Sequence, residues 1–366
     1  MVFARNLSRK TVPGGKRMRL RLGFIGAGII AQLAHMANYR EIEGCELAAI
    51  ADDRARSAQV AARKYGVEKV YRDFREMLNV EKLDGIVISS GFRLHHALIP
   101  EVIEHGIPIL TDVPIAASVE TAQQLVRMAE KRGVPYHLGY VRRFDPAVNV
   151  AKEIIEKWRR SSECGRITYV RITMPFRTWP YGGIAGIEED AEDGGFGILP
   201  EPIPDRIPGK LKTLYLRFIT FYINQINLLR YLIEEEIEIR YVDPNNRLIV
   251  MISEGGITCS LEMAQYGLRN RWEEFYKVCF EEGKIDLKLA APLSRDASDV
   301  LIYRGGSGEL LRPDLPREWA ARRMAEHFVD SILSGAEPIS PADDGIKDLI
   351  AAEQYIRCRN IGRNVI

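Results

Sequence analysis

The residues most able to do chemistry open the chain's first regular stretch. Gly26-Ala27-Gly28-Ile29-Ile30-Ala31 follows the apolar run 22–25 and leads an amphipathic stretch reaching to about residue 40. A G-x-G-x-x-A turn between a strand and a helix has a mechanical reading. Gly26 permits a tight turn, Gly28 lets backbone approach a pyrophosphate, and Ala31 allows close packing of helix on strand. The helix N-terminus, at Ile29 and Ile30, then presents N–H groups and a partial positive charge to the phosphates. Asp52 ends the next apolar run at the distance expected of a carboxylate that binds the adenosine ribose. That carboxylate favours NAD, because it would repel a 2′-phosphate. Arg54, two residues on, could pair with such a phosphate and keeps NADP as the alternative.

These residues must be held by a sheet, and the pattern supplies one. Short apolar runs at 22–25, 46–51, 70–71, 85–89, 108–111 and 135–139 alternate with amphipathic stretches at 29–40, 54–65, 95–105 and 118–132. Ser118 is placed to cap the last of these helices. Gly-Ile-Val-Ile-Ser at 85–89 has the continuous apolar character of a strand covered on both faces. The fold class is α/β, an N-terminal Rossmann domain with a doubly wound parallel sheet. After a helix near 147–160 come longer alternating strands at 167–176, 237–242, 247–253, 257–263, 272–280 and 284–289. Turns at Gly255-Gly256 and Glu282-Gly283 punctuate them. They predict a C-terminal α+β domain with an open, mostly antiparallel sheet, a helix at 220–232 among its strands, and helices near 318–333 and 343–357. The expected division is a basic arm at 1–18, the dinucleotide-binding domain at 19–141, and a substrate and oligomerisation domain at 142–366 whose last helix packs back on the first.

Composition excludes several classes. The net charge is +1, which gives no general pull toward nucleic acid or membrane. The longest apolar run is too short to span a bilayer. Five cysteines, odd in number and without C-x-x-C spacing, argue for a reducing, cytoplasmic setting. Six histidines form no H-E-x-x-H pair, so no metal site is expected. The arm carries Arg5, Arg9, Lys10, Lys16 and Arg17 without an acid and without the apolar segment of an export signal. It reads as a disordered extension, or as sequence ahead of a true start at Met18. The Gly-, Pro- and acid-rich stretch 178–210 is either a lid over a site or simply mobile.

With these residues in view, the chain resembles the glucose-fructose oxidoreductase/inositol dehydrogenase/rhizopine-catabolism (Gfo/Idh/MocA) family over nearly everything after Arg19. Beside the phosphate turn and Asp52, the likeness rests on Ala61-Ala62-Arg63-Lys64-Tyr65-Gly66, on 84–95, on Gly139-Tyr140-Val141-Arg142-Arg143-Phe144-Asp145-Pro146, on Asn227-Leu228-Leu229-Arg230-Tyr231-Leu232 and on Glu326-His327-Phe328-Val329-Asp330. The resemblance implies hydride transfer between NAD(P) and a hydroxyl carbon of a sugar, an inositol or a related cyclic ketone or alcohol, in a homo-dimer or homo-tetramer. It also implies a cofactor pocket that includes Ser89, His95, Asp112 and Pro114.

The family's E-K-P lysine and its D-x-x-x-H pair are absent, however. Asp112-Val113-Pro114 and Thr220-Phe221-Tyr222-Ile223-Asn224 stand at those positions, and Ser89-Ser90-Gly91 replaces an A-T-P. Removing a hydroxyl proton needs a base that titrates near the working pH, which Val113, Thr220 and Asn224 do not supply. Replacement candidates are Tyr140, Tyr222 and Asn224, with Arg143 and Thr220 as further substrate contacts. The reading is an oxidoreductase with a non-standard proton relay. The alternatives are a catalytically silent dinucleotide-binding subunit or regulator, and a cofactor-retaining lyase or isomerase.

Overall fold

The computed structural model describes residues 19–175, 195–264 and 272–361. The basic arm, the first part of the acid-rich stretch and the end of the strand expected at 167–176 lie outside those residues.

Six strands form the first sheet: β1 (Leu20–Ile25), β2 (Cys45–Ala51), β3 (Lys69–Tyr71), β4 (Gly85–Ile88), β5 (Ile109–Thr111) and β6 (Tyr136–Leu138). They run parallel in the order β3-β2-β1-β4-β5-β6. All four residues of β4 are buried, as continuous apolar sequence requires of a strand covered on both faces. Capping fixes the intervening helices. Asp73 accepts from the Arg75 N–H ahead of the helix Phe74–Val80, which the sequence pattern had not suggested. Ser118 accepts from the Thr121 N–H ahead of Val119–Arg132. The first helix departs from regular winding: Ala31–Met36 forms a π-helical segment running into Ala37–Tyr39.

The second sheet holds eight strands: β7 (Ile167–Thr173), β8 (Ile237–Val242), β9 (Leu248–Ser253), β10 (Thr258–Glu262), β11 (Phe275–Phe280), β12 (Gly283–Lys288), β13 (Asp299–Arg304) and β14 (Glu309–Leu311). Their order is β14-β13-β12-β11-β7-β10-β9-β8, antiparallel except for the pair β7 and β10. Strands β13 and β14 extend the sheet beyond the sequence expectation. Asp145 caps the helix Pro146–Ser161, whose buried Trp158 meets Phe280 edge-on and seals one sheet face.

One helical expectation changes. The helix expected at 220–232 starts earlier, at Lys212, and is interrupted at Tyr222, giving Lys212–Phe221 and Ile223–Ile233. Ala320–Ser334 returns to the first sheet, where its Phe328 packs edge-on against Tyr39. The last helix, Asp344–Ile361, lies mainly along β8, with the Gln354 side chain accepting from the Ile239 N–H, and also meets the helix Val119–Arg132 of the first domain. Just before it, Leu138 donates its N–H to Ser340, which covers the free edge of β6.

Candidate dinucleotide site and its reaction end

The phosphate turn sits at the C-terminal edge of β1. Gly26 has φ +97°, and a Cβ there would lie 2.3 Å from the Ser89 carbonyl oxygen, so the turn and the β4 loop touch backbone to backbone. The Gly26 N–H donates to Ala51 and the Ala27 N–H to Asp52 Oδ2, 2.7 Å away. Helical winding begins at Ile29, and Ile30 at its head has no side-chain cap. Ala31 is fully buried against the sheet. A glycine cradle, a helix start directly behind it and a close-packing alanine together fit a pyrophosphate. Gly26, Gly28 and the amides at Ile29 and Ile30 are the groups that would hold it.

At the adenosine side, both carboxylates are engaged. Asp52 is 2% exposed. Besides the Ala27 N–H it accepts from the Arg54 backbone at 2.9 Å and from the Arg54 guanidinium at 3.0 and 2.8 Å. The residue expected to meet the ribose is therefore tied to the turn and roofed by Arg54. Its neighbour Asp53 accepts from two consecutive backbone amides, Gly195 at 2.8 Å and Phe196 at 2.5 Å.

The reaction end lies beyond β4 and β5. Asp112 follows β5, ahead of a cis Val113–Pro114 peptide. Its Oδ1 lies 2.8 Å from His35 Nε2, and its Oδ2 accepts from the Ser89 hydroxyl at 2.5 Å. Burial pushes the Asp112 carboxyl up, but the charge and hydrogen bond of His35, the Ser89 hydroxyl and the more distant His95 outweigh it and hold it below the usual range. His95 is fully buried. Its Nδ1 bonds the Ile115 carbonyl at 3.0 Å, and burial, opposed by that bond, lowers its pKa to about 4. It is neutral near pH 7 and lies buried behind the cis peptide.

The other expected site residues separate. Tyr140 is buried, and its hydroxyl is pushed well up by that burial and by the Asp348 carboxylate. Arg143 donates to Asn227 Oδ1 and to the Ile339 carbonyl, both at 2.8 Å, pairs with Asp344 at 2.7 Å, and lies over the Tyr231 ring. Asp348 in turn accepts from Asn227 and from Arg230, each at 2.7 Å. Tyr140 and Arg143 thus belong to a buried ionic network joining the end of β6 to the last helix. Arg143 finds its acid in Asp344, while Asp145 caps a helix and accepts from Ser298.

Tyr222 is buried beside Phe218, lining a cavity of about 670 Å³ with Arg217, Arg247, Met263 and Tyr355. Helical spacing puts Thr220 on the face opposite Phe218. Thr220 is exposed and its hydroxyl bonds back to the Leu216 carbonyl. Asn224, half-buried, makes no side-chain hydrogen bond among the described residues.

One chain of contacts therefore joins Asp52, the turn, Ser89, Asp112 and His35. The sequence reading did not single out His35 or Asp53. For His35 a signal existed, four residues beyond Ala31 on the helix that carries the turn.

Residues 20–140 match the family described as an oxidoreductase family with an NAD-binding Rossmann fold, GFO_IDH_MocA. Among characterised relatives, the D-apiose dehydrogenase of Paraburkholderia graminis is 23% identical over 95% of this chain and 89% of its own. The inositol 2-dehydrogenase of Rubrobacter xylanophilus is 25% identical over 93% and 91%. Among solved structures, the scyllo-inositol dehydrogenase of Lactobacillus casei, with bound NAD(H) and scyllo-inositol, shares the fold at TM-score 0.68 and 17% identity, covering 94% of this chain and 98% of its own. The phosphate turn and the strand order agree with the match over residues 20–140, and along most of its length the chain is similar to dehydrogenases of the Gfo/Idh/MocA type.

Proposed function

We propose that the protein is an NAD-dependent oxidoreductase of a sugar, an inositol or a related small cyclic alcohol or ketone. The observation that carries this reading is the continuous contact from the phosphate turn through Ser89 to the pair Asp112–His35. When bound, the nicotinamide supplies the hydride acceptor or donor. The chain's own residues do the rest. Gly26, Gly28 and the amides at Ile29 and Ile30 hold the pyrophosphate, and Ser89 and Pro114 bound the pocket.

Asp112 is the partly exposed member of its pair and His35 the buried one. The hydroxyl proton passes by way of the Asp112 carboxylate, whose low pKa makes it a relay more than a store, with His35 steadying its charge. The uncommitted amide of Asn224 is the group that orients the reacting oxygen. Tyr140 and Arg143 brace the domain junction.

The test has two parts: NADH binding followed by fluorescence, and hydride transfer assayed in both directions across a panel of polyols and their ketones. Tight NADH binding with no transfer to any member of the panel would sink the proposal. A cytoplasmic homo-oligomer belongs to the same reading. It is supported by exposed Leu248, Phe275 and Tyr303 on strands of the second sheet, and by five cysteines without disulfides. Light scattering that finds only monomer counts against it. No helix among the described residues is long and apolar enough to cross a membrane.

A further inference from the structure

The C-terminal edge of the first sheet is crossed by a segment of the second half of the chain. At Gly195 and Phe196 it is held to Asp53, just past β2, while the Phe196 ring meets Phe74, after β3, edge-on at 5.3 Å. Farther along, Glu201 and Arg93, in the loop after β4, exchange two bonds: Glu201 N–H to Arg93 O and Arg93 Nε to Glu201 O, each 2.7 Å. Beyond β5, the Glu201 carboxylate, 4% exposed, accepts from the Ala117 N–H at 2.7 Å and the Ser118 hydroxyl at 2.6 Å. It thereby sits at the head of the helix Val119–Arg132, where a negative charge is favoured.

The reach agrees with a crossing. From β2 to β5 there are three strand spacings, about 14 Å at ~4.8 Å each. From Gly195 to Glu201 an extended chain spans about 20 Å.

The two ends are built differently. The Glu201 end is buried and made of charge-assisted bonds, so it is the anchor. The Asp53 end depends on a backbone strained at Phe196, which has φ +53°. A non-glycine residue is strained in that region. The conformation turns two successive N–H groups toward one carboxylate, the concave arrangement that binds anions. The strain is thus coupled to the grip on Asp53.

In this sheet order the adenosine half of a dinucleotide lies over the end of β2, on the side of β3. Resting on the NAD-binding reading above, we propose that residues 195–201 form the outer wall of the adenosine pocket. Phe196, backed by Phe74, is the apolar surface against the adenine, and Asp53 is the latch that holds the wall in place. Asp53 therefore acts through the strap, and adenosine-bearing ligands leave only when the latch opens.

The experiment compares ligands that carry one half of the cofactor, using the full chain. Binding of ADP-ribose and of reduced nicotinamide mononucleotide is measured for the unmutated protein, Phe196→Ala, Asp53→Ala and the double variant, with thermal melts to confirm folding. Phe196→Ala and Asp53→Ala should each weaken ADP-ribose about tenfold, as loss of one apolar contact or of two charge-assisted bonds implies. The double variant should be no worse than the weaker single one, because both act through one element. Affinity for the nicotinamide half should stay within about twofold. NADH release in stopped flow should quicken in step. If Phe196→Ala leaves ADP-ribose affinity unchanged or tightens it, or if the two effects simply add, the strap is not the adenosine wall. If the unmutated protein binds neither half-ligand, the NAD-binding reading falls along with the strap.

Discussion

The phosphate end and the reaction end of this site are built on the same sheet edge by different rules. At the phosphate end the work is done by backbone: Gly26 against Ser89, the Ala27 N–H on Asp52, and the helix start behind them. Backbone geometry of this kind tolerates almost no change in residue type. At the reaction end the work falls to side chains, and these can be exchanged in sets. Val113, Thr220 and Asn224 stand where the resemblance expects titratable groups, while Asp112, next to Val113, pairs with His35. A cofactor site can therefore stay constant while the proton path next to it is rebuilt.

The largest effect should come from breaking the phosphate end. Gly26→Val places a branched side chain where even a Cβ meets the Ser89 oxygen at 2.3 Å, at a φ that L-residues avoid. NADH affinity should fall by about 10³-fold, since an overlap worth more than ~4 kcal/mol must be relieved by moving the turn. Calorimetric titration measures it; affinity within tenfold of the unmutated protein would show that the cleft does not rely on this contact.

At the reaction end, Asp112→Asn keeps the shape and the Ser89 contact but removes the exchangeable charge. Turnover should fall about 10²-fold, with NADH affinity changed by less than about threefold, because the phosphate grip is elsewhere. Tyr140→Phe should leave kcat within about twofold, since its hydroxyl faces Asp348 inside the domain junction. The reverse ranking of these two variants would return the proton chemistry to Tyr140.

The same division governs what could be read before the structure. The turn, the strands of the first sheet and the Ser118 cap are local: residue type, spacing and hydrogen bond lie within a few positions of each other. Asp112 was legible from its place in the resemblance. Its partner His35 lies 77 residues away and is brought in by a helix wound partly as a π-helix. The strap was unreadable for a similar reason. Gly195-Phe196-Gly197 looks like any glycine-rich loop until Asp53, 142 residues earlier, is seen to accept its amides. The interruption at Tyr222 was missed because no proline or glycine marks it: Tyr222 breaks the winding by backbone angle alone. Tyr222 and Arg143 were attractive as chemical types, but burial commits them to packing and to an ion network.

A smaller effect tests the buried histidine behind the cis peptide. His95 has its pKa lowered from 6.5 to about 4, so between those values the unfolded chain binds a proton that the folded chain does not. Stability is complete above pH 6.5 and declines as the pH falls toward 4, by at most about 3 kcal/mol for this one group. His95→Asn can keep a donor to the Ile115 carbonyl without titrating. It should be somewhat less stable at pH 7 yet lose less on acidification, which urea unfolding at several pH values reads directly. An unchanged slope would mean that His137, whose pKa burial likewise lowers to about 3, carries the acid sensitivity instead.

The smallest effect concerns which dinucleotide the phosphate end prefers, and Asp52 and Arg54 decide it together. The Arg54 guanidinium reaches both Asp52 oxygens, so the carboxylate is masked from a ribose and the guanidinium is partly neutralised toward a 2′-phosphate. Binding NADP would require Arg54 to leave Asp52 while the phosphate approached that carboxylate, whereas NAD needs only a shared hydrogen bond with it. NAD should therefore win, by a modest factor of about three to tenfold. Arg54→Ala unmasks Asp52 and removes the only phosphate partner within that pair, so the gap should widen. Asp52→Ala should narrow it while also weakening both cofactors, because the Ala27 N–H loses its acceptor and the turn loosens. Competitive titration of the two cofactors against each variant separates the cases. Tighter binding of NADP by the unmutated protein would show that Arg54 swings free of Asp52 in solution, and would make the pair an NADP-selecting device.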